Sequence, residues 1–540
     1  MGLRARIDGE SADRTARAVW VLYGLIAAVS CTLVLLRPDR LSDLHIYYGA
    51  VRTAQSGAPL YDYVAANGGP FTYPPFAALV MWPMTGLPEP ALQLLWLALT
   101  CAAVAALALT VGRALHVPAH RRALAVAVVA CAVLLSAPAQ SNMRFGQVSV
   151  FIVLLALVDA AGLTPARWRG VLVGIAAAIK LTPLLFVVFF LLSRRWRDAA
   201  RAAIAFAGCA LIAAALLPAD SWTYWSETVM QTSRIGDLSS LGNQSVHGML
   251  LRIGVPVQTL PLVWVGLAAL VCGIALVRAR RLQLDGEPVR ATVMVGCATV
   301  AASPVSWTHH QLWTVLAAML LVAAQGALRR VAGVVLAVVM TLSLGVLLSD
   351  VSMYPGVQFL LENARTVGVV ATCLAGLGGA AALAVTTVRR NGRVWLRAAT
   401  ALLGVLACFA VLPLPAGADP TFKAYVQSDT ANPRYFYFCR TEAACADAAK
   451  DMAAQGAVMR FDVAFEETKV RVNGVVDALV ARLEYSSAPG GAPRGIPIVA
   501  MFGERGFSFR SAHLTAGELT AYAADGTVLA AFSAELNPKE

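Results

Sequence analysis

Residues 41–73 read LSDLHIYYGAVRTAQSGAPLYDYVAANGGPFTY, the one long polar excursion near the N-terminus, set between a first hydrophobic segment and the next. The stretch holds Asp43, His45, Arg52 and Asp62 among many aromatic residues. Leu44, Tyr47, Tyr48, Val51 and Ala54 recur at helical spacing, which predicts an amphipathic helix lying at a membrane surface. Gly57-Ala58-Pro59 ends it. Asp43 is thereby fixed at a water–lipid boundary, where a lipid-linked molecule presents its head group. The same position, beside Ser42 as a cap, also suits an acid that only complements the positive end of the helix.

Outward from this stretch the chain is a membrane protein. Of its 540 residues 58% are hydrophobic and 14% charged, with a mean hydropathy of +0.67. Several runs approach the ~20 apolar residues needed to cross a bilayer. Only helices satisfy their own backbone in lipid at such lengths, so the expected fold is all-α and polytopic. The first apolar run shows no small-residue cleavage site and reads as a retained span. Residues 1–416 hold 31 Lys and Arg against 16 Asp and Glu, whereas residues 417–540 hold 12 against 15. The cations fall in short loops between spans, the positive-inside pattern, which argues against a nucleic-acid partner.

The loop charges predict a topology. Arg14 and Arg17 precede a span at 18–36, placing the N-terminus in the cytoplasm and residues 41–73 outside. Further spans are expected at 90–112, 122–138, 147–163, 199–217, 258–277, 291–305, 311–326, 331–348, 366–388 and 395–414, about eleven in all. Residues 71–88, interrupted by Pro74, Pro75 and Pro83, are expected to form a re-entrant or surface hairpin. Residues 170–193 carry Arg167 and Arg169 at one end and Arg194, Arg195 and Arg197 at the other. Both ends want the cytoplasm, so a helical hairpin broken at Lys180-Leu181-Thr182-Pro183 is expected.

After Pro413, Pro415 and Gly417 the composition changes, giving domains of 1–416 and 417–540. Tyr435–Phe438, 458–465, 475–485, 496–502 and 527–532 read as strands and 441–454 as a helix, a small α+β domain on the outer face. Eight cysteines lie in apolar segments as small hydrophobes. Cys439 and Cys445 stand apart in the tail and are expected to pair in an oxidising compartment. No zinc spacing occurs, and neither metal nor cofactor is expected.

Five polar sites share the outer side in this topology: Asp43 with His45, the turn at Tyr73, Arg144 with Gln147, Asn243 with Gln244, and His309 with His310. Lys180 joins them if residues 170–193 form the hairpin. Each has a bland reading as loop polarity or interfacial histidine. A lysine within an apolar run is different, because in lipid it marks an ion or substrate path. Arg144 and Lys180 suit a phosphate, and Asp43 suits proton abstraction from a hydroxyl.

The same residues carry a family resemblance. Asp43-Leu44-His45-Ile46-Tyr47-Tyr48 with Gly57-Ala58-Pro59-Leu60-Tyr61-Asp62 resembles the first external loop of the polyprenyl-phosphate-mannose-dependent mannosyltransferases, which have the GT-C membrane fold. Phe71-Thr72-Tyr73-Pro74-Pro75-Phe76, Gly146-Gln147, Lys180-Leu181-Thr182-Pro183, Asn243-Gln244-Ser245 and Ser303 through His310 resemble that family in the same order. The match covers roughly residues 40–320. That family includes enzymes that build phosphatidylinositol mannosides and lipoglycans in actinobacterial envelopes, and a related arabinosyltransferase.

The resemblance implies a plasma-membrane enzyme that moves a mannosyl residue from a polyprenyl-phosphate donor to a glycolipid or polysaccharide acceptor on the outer face. It implies inversion at C1 with Asp43 as base. Substrate contacts are then expected from His45, Tyr73, Arg144, Gln147, Lys180, Asn243, Gln244, His309 and His310. A polyprenyl-phosphate-arabinose enzyme is the nearest alternative. A lipid transporter, which internal repeats would favour, or an envelope assembly factor is the alternative of another class.

Overall fold

A computed structural model describes residues 2–65, 69–235, 238–256, 258–347, 355–378, 459–465, 470–486, 493–496, 498–501, 504–511 and 517–534. Two compact units divide the chain at Gly417/Ala418. The paired cysteines expected at Cys439 and Cys445, the span at 395–414, the strand at 435–438 and the helix at 441–454 lie outside the described residues.

The first unit is helical. Its N-terminal half comprises α1 (Gly2–Leu35), α2 (Ser42–Gln55), α3 (Pro75–Met81), α4 (Glu89–Val111), α5 (Arg122–Leu135), α6 (Ala137–Phe145), α7 (Ser149–Ala160), α8 (Val171–Ile179) and α9 (Leu184–Leu192). It continues with α10 (Trp196–Leu216), α11 (Pro218–Ser226), α12 (Val246–Arg252), α13 (Leu260–Leu284), α14 (Pro288–Ala302), α15 (Leu312–Val322), α16 (Ala327–Thr341), α17 (Leu344–Leu347), α18 (Pro355–Glu362) and α19 (Ala364–Ala375). Helices α14 and α15 are buried along almost their whole length and form the centre. Exposed Leu, Val and Ile line α1, α10, α13 and α16, a surface that water does not tolerate and lipid does.

Four helices among the described residues are long and apolar enough to cross a membrane, namely Asp13–Leu35, Glu89–Ala114, Trp196–Leu216 and Leu260–Leu284. Among the described residues the other expected spans are shorter or bent; residues 379–388 of the span expected at 366–388 lie outside them. The span expected at 122–138 is instead the pair α5 and α6, bent by 57°. Pro138 cannot donate to the carbonyl of Leu134 and its ring crowds that carbonyl, while the Ser136 hydroxyl caps the new helix through the Ala139 N–H at 3.4 Å. Residues 71–88 hold only the seven-residue α3 and a 3-10 turn at Trp82–Gly86, so no crossing forms there.

Residues 170–193 are broken as the arginines require. Helix α8 ends at Ile179, Lys180 is extended, and α9 starts after Pro183. Both ends of the segment lie at one end of α10. Arg195 Nη1 donates to the carbonyl of Ala160 at 2.6 Å, and Arg201 Nη1 donates to that of Ala166 at 2.9 Å. Gly170 has φ +96°, and a Cβ there would sit 2.1 Å from the Asp198 carbonyl oxygen, so only glycine permits this approach. The buried Asp159 carboxylate accepts the N–H groups of Gly170 at 3.0 Å and Val173 at 2.9 Å, satisfying the start of α8 where negative charge is favoured.

The second unit holds two four-stranded antiparallel sheets. From β1 (Met459–Phe465), β2 (Val470–Val476), β3 (Arg482–Ser486), β4 (Arg494–Ile496), β5 (Val499–Met501), β6 (Glu504–Ser511), β7 (Gly517–Tyr522) and β8 (Val528–Ala534) they take the orders β1-β2-β6-β5 and β4-β3-β7-β8. Val476, Val480, Leu483, Phe507, Leu519 and Ala521 form its core. The single strand expected at 475–485 is instead the end of β2, a turn and β3, and β6 and β7 coincide with no expected strand.

Candidate active site

Asp43 stands in the first turn of α2, a 14-residue helix too short to span. Leu44, Tyr47, Val51 and Ala54 of the expected face are buried, with Ile46 and Ala50, whereas Tyr48 is only partly buried. Helix entry differs from expectation. Leu41, not Ser42, takes the cap position, with φ 48° and no side-chain cap, and its N–H donates to the Arg144 carbonyl at 2.7 Å. This bond ties the start of α2 to the end of α6. Gly146 closes the contact: its φ is +68°, and a Cβ would lie 2.7 Å from the Leu44 Cβ. Gln147 is thereby delivered beside Asp43.

The side chains then form one chain of hydrogen bonds. Gln147 Nε2 donates to Asp43 Oδ2. Gln147 Oε1 accepts from the Tyr73 hydroxyl at 2.9 Å. That hydroxyl in turn accepts from Tyr47 at 3.2 Å and from Lys180 Nζ at 3.4 Å. Lys180 Nζ lies 2.7 Å from His310 Nε2 and over the Tyr73 ring, and His310 Nδ1 accepts the Trp307 N–H at 3.1 Å. Burial pushes the Asp43 carboxyl up from 3.8 to about 6, against the opposing effects of the Gln147 amide, the Lys180 charge and the Ser42 hydroxyl. A carboxylate so tuned suits proton abstraction near neutral pH.

The structure thus brings Asp43, Tyr73, Gln147, Lys180 and His310 together, with Tyr47 added. Tyr47 also belongs to the buried apolar face of α2 that the spacing predicts. The remaining candidates go elsewhere. His45 pairs with Glu89 and is half-exposed. Arg144 is turned to Asp39, which accepts from its Nε at 3.1 Å, and the pair anchors the 37–41 loop. His309 is buried against the Phe145 and His310 rings, and neither of its ring nitrogens has a hydrogen-bond partner among the described residues.

Asn243 and Gln244 are spent on backbone. Asn243 Nδ2 donates to the carbonyls of Leu238 and Pro304, and its Oδ1 accepts from the Ser306 N–H at 2.9 Å. Gln244 Nε2 donates to the carbonyls of Leu241 at 2.8 Å and Glu362 at 2.7 Å. Asn243 holds the 303–306 turn that leads to His310 through its side chain, and Gln244 does so through its backbone N–H, which donates to the Ser306 carbonyl at 2.8 Å. Buried amides with every group satisfied fix a loop rather than recognise a ligand.

Residues 71–304 match the model of glycosyltransferase family 87. The chain is 34% identical over 341 residues to the polyprenol-phosphate-mannose-dependent alpha-(1-2)-phosphatidylinositol mannoside mannosyltransferase of Mycobacterium tuberculosis, a match covering 58% of this chain and 78% of that protein. The Mycolicibacterium smegmatis protein of the same name is 34% identical over 322 residues, covering 55% and 71%. A polyprenol-phosphate-mannose-dependent alpha-(1-2)-phosphatidylinositol pentamannoside mannosyltransferase of Mycolicibacterium smegmatis is 31% identical over 304 residues, covering 55% and 72%. No solved structure matches the chain at a significant level. Relatives of this identity, aligned over more than two thirds of their own length, join the helical membrane fold to a single chemistry: the chain belongs to glycosyltransferase family 87.

Proposed function

We propose that this membrane glycosyltransferase transfers mannose from a polyprenyl-phosphate donor to a phosphatidylinositol-mannoside-type acceptor at the outer membrane face, with Asp43 as general base. The observation that carries the reading is the continuous path from Asp43 through Gln147 and Tyr73 to Lys180. It sets a proton acceptor and a cation three hydrogen bonds apart. Displacement at C1 needs these groups on opposite sides of the sugar. The acceptor hydroxyl attacks C1 and gives its proton to Asp43, while the C1–O bond breaks and its electron pair leaves with the lipid phosphate. A β-linked donor then yields an α-linkage. The charge growing on the phosphate calls for a cation placed in advance. His310 Nδ1 accepts the Trp307 N–H, which leaves its Nε2 turned to Lys180 Nζ at 2.7 Å. Arg194, Arg195 and Arg197 after α9, Arg278, Arg280 and Arg281 near the end of α13, and Arg329 and Arg330 at the start of α16 support a cytoplasmic N-terminus and an outward-facing α2.

Supplying membranes with labelled polyprenyl-phosphate mannose or polyprenyl-phosphate arabinose in parallel tests the donor. Label is expected to reach the glycolipid from mannose; transfer from arabinose alone would contradict the reading. The pH profile tests the base. Below about pH 6 the Asp43 carboxyl holds a proton and cannot accept another. The acid limb of kcat/KM is therefore expected to have its midpoint near pH 6, and a profile flat down to the ordinary carboxyl range near 3.8 would rule Asp43 out.

A further inference from the structure

A cavity of about 30 Å3 opens beside Lys180, lined also by Ser149, Thr182, Ser306, His310 and Trp313. The hydroxyls on its α14 side are occupied: Ser303 donates to the Val305 carbonyl at 2.8 Å, Ser306 to that of Val300 at 2.7 Å and Thr299 to that of Gly296 at 2.7 Å. Ser149 differs. It is 4% exposed, and its hydroxyl has no hydrogen-bond partner among the described residues. Buried hydroxyls are rarely left so. Ser149 opens the 12-residue α7, whose start has no side-chain cap, and a helix N-terminus favours an anion.

An unspent donor, a helix N-terminus and an amine therefore face one space. Its volume takes roughly two water-sized groups. A phosphodiester puts forward two unesterified oxygens and one negative charge. We propose that this cavity seats the phosphate of the lipid-linked donor and that the Ser149 hydroxyl donates a hydrogen bond to one of its oxygens. The inference rests on the polyprenyl-phosphate reading above. As the C1–O bond breaks, its electron pair passes to the phosphate and the Ser149 contact strengthens.

The test compares wild type with Ser149→Ala and Ser149→Thr in two assays: binding of polyprenyl phosphate without sugar, and transfer with separate KM values for donor and acceptor. Ser149→Ala is expected to weaken polyprenyl-phosphate binding and raise donor KM by about tenfold, the effect of one hydrogen bond to a charged group. Acceptor KM is expected to stay constant, the melting temperature not to fall, and Ser149→Thr to restore binding. Unchanged polyprenyl-phosphate binding in Ser149→Ala would overturn the proposal, as would a fall in melting temperature with both KM values shifted alike. If wild type fails to transfer mannose, the donor reading falls. The binding arm then still decides the phosphate seat, supported by a weaker Ser149→Ala and refuted by an equal one.

Discussion

Lys180→Met is expected to lower kcat/KM for the lipid-phosphate donor by about 10²-fold or more, because it deletes the cation facing the leaving phosphate. The fold has little reason to fail with it. Methionine matches the length and flexibility of lysine, and Tyr73 keeps its bonds to Gln147 and Tyr47. His310 keeps the Trp307 N–H on Nδ1. Steady-state kinetics on purified protein, with gel filtration as the folding control, separate the two effects. Loss of donor use with an unchanged elution profile supports the assignment. A variant within threefold of wild type would place the phosphate elsewhere.

Much of the site was legible because local rules govern it. The spacing of Leu44, Tyr47, Val51 and Ala54 marks helix α2, and Gly57, at φ +86°, follows its end. The arginines at both ends of 170–193, with Pro183 between, required the break that exposes Lys180. Other features depend on partners distant in sequence. Arg144 looked like a phosphate ligand because its match, Asp39, lies 105 residues away. Asn243 and Gln244 looked available because their acceptors are the carbonyls of Pro304 and Glu362. Ser149 passed unnoticed because one hydroxyl within an apolar run carries no signal until its surroundings are known.

Span lengths were less legible than span positions. Hydropathy sees continuous apolar runs at 122–138 and 311–326, whereas the helices there end at Leu135 and Val322. Pro138 sets the first end, and a turn through Gly326, at φ +97°, follows the second. In the second unit, β6 alternates Phe507 and Phe509 with polar residues. That is the pattern of a half-buried strand, and it lacks the apolar run by which neighbouring strands were recognised.

Asp43→Asn is expected to lower the transfer rate by ~10²–10⁴-fold, the usual contribution of a general base. Asparagine keeps the shape of aspartate, and turning its amide lets its oxygen still accept from Gln147, but it cannot take the acceptor's proton. Stability is expected to hold. The folded carboxyl is raised from 3.8 to about 6, so its protonated form favours folding below about pH 4, and that contribution is lost as pH rises through about 6. Replacing a partly buried charge that is unfavourable at neutral pH with a neutral amide removes a cost. Side-by-side measurement on purified wild type and Asp43→Asn, with the same labelled polyprenyl-phosphate mannose and glycolipid acceptor, reads both donor retention and sugar transfer. The variant is expected to retain donor as wild type does and to transfer less than about one hundredth as fast; retention of donor with transfer at more than about a tenth of the wild-type rate would rule out Asp43 as the base.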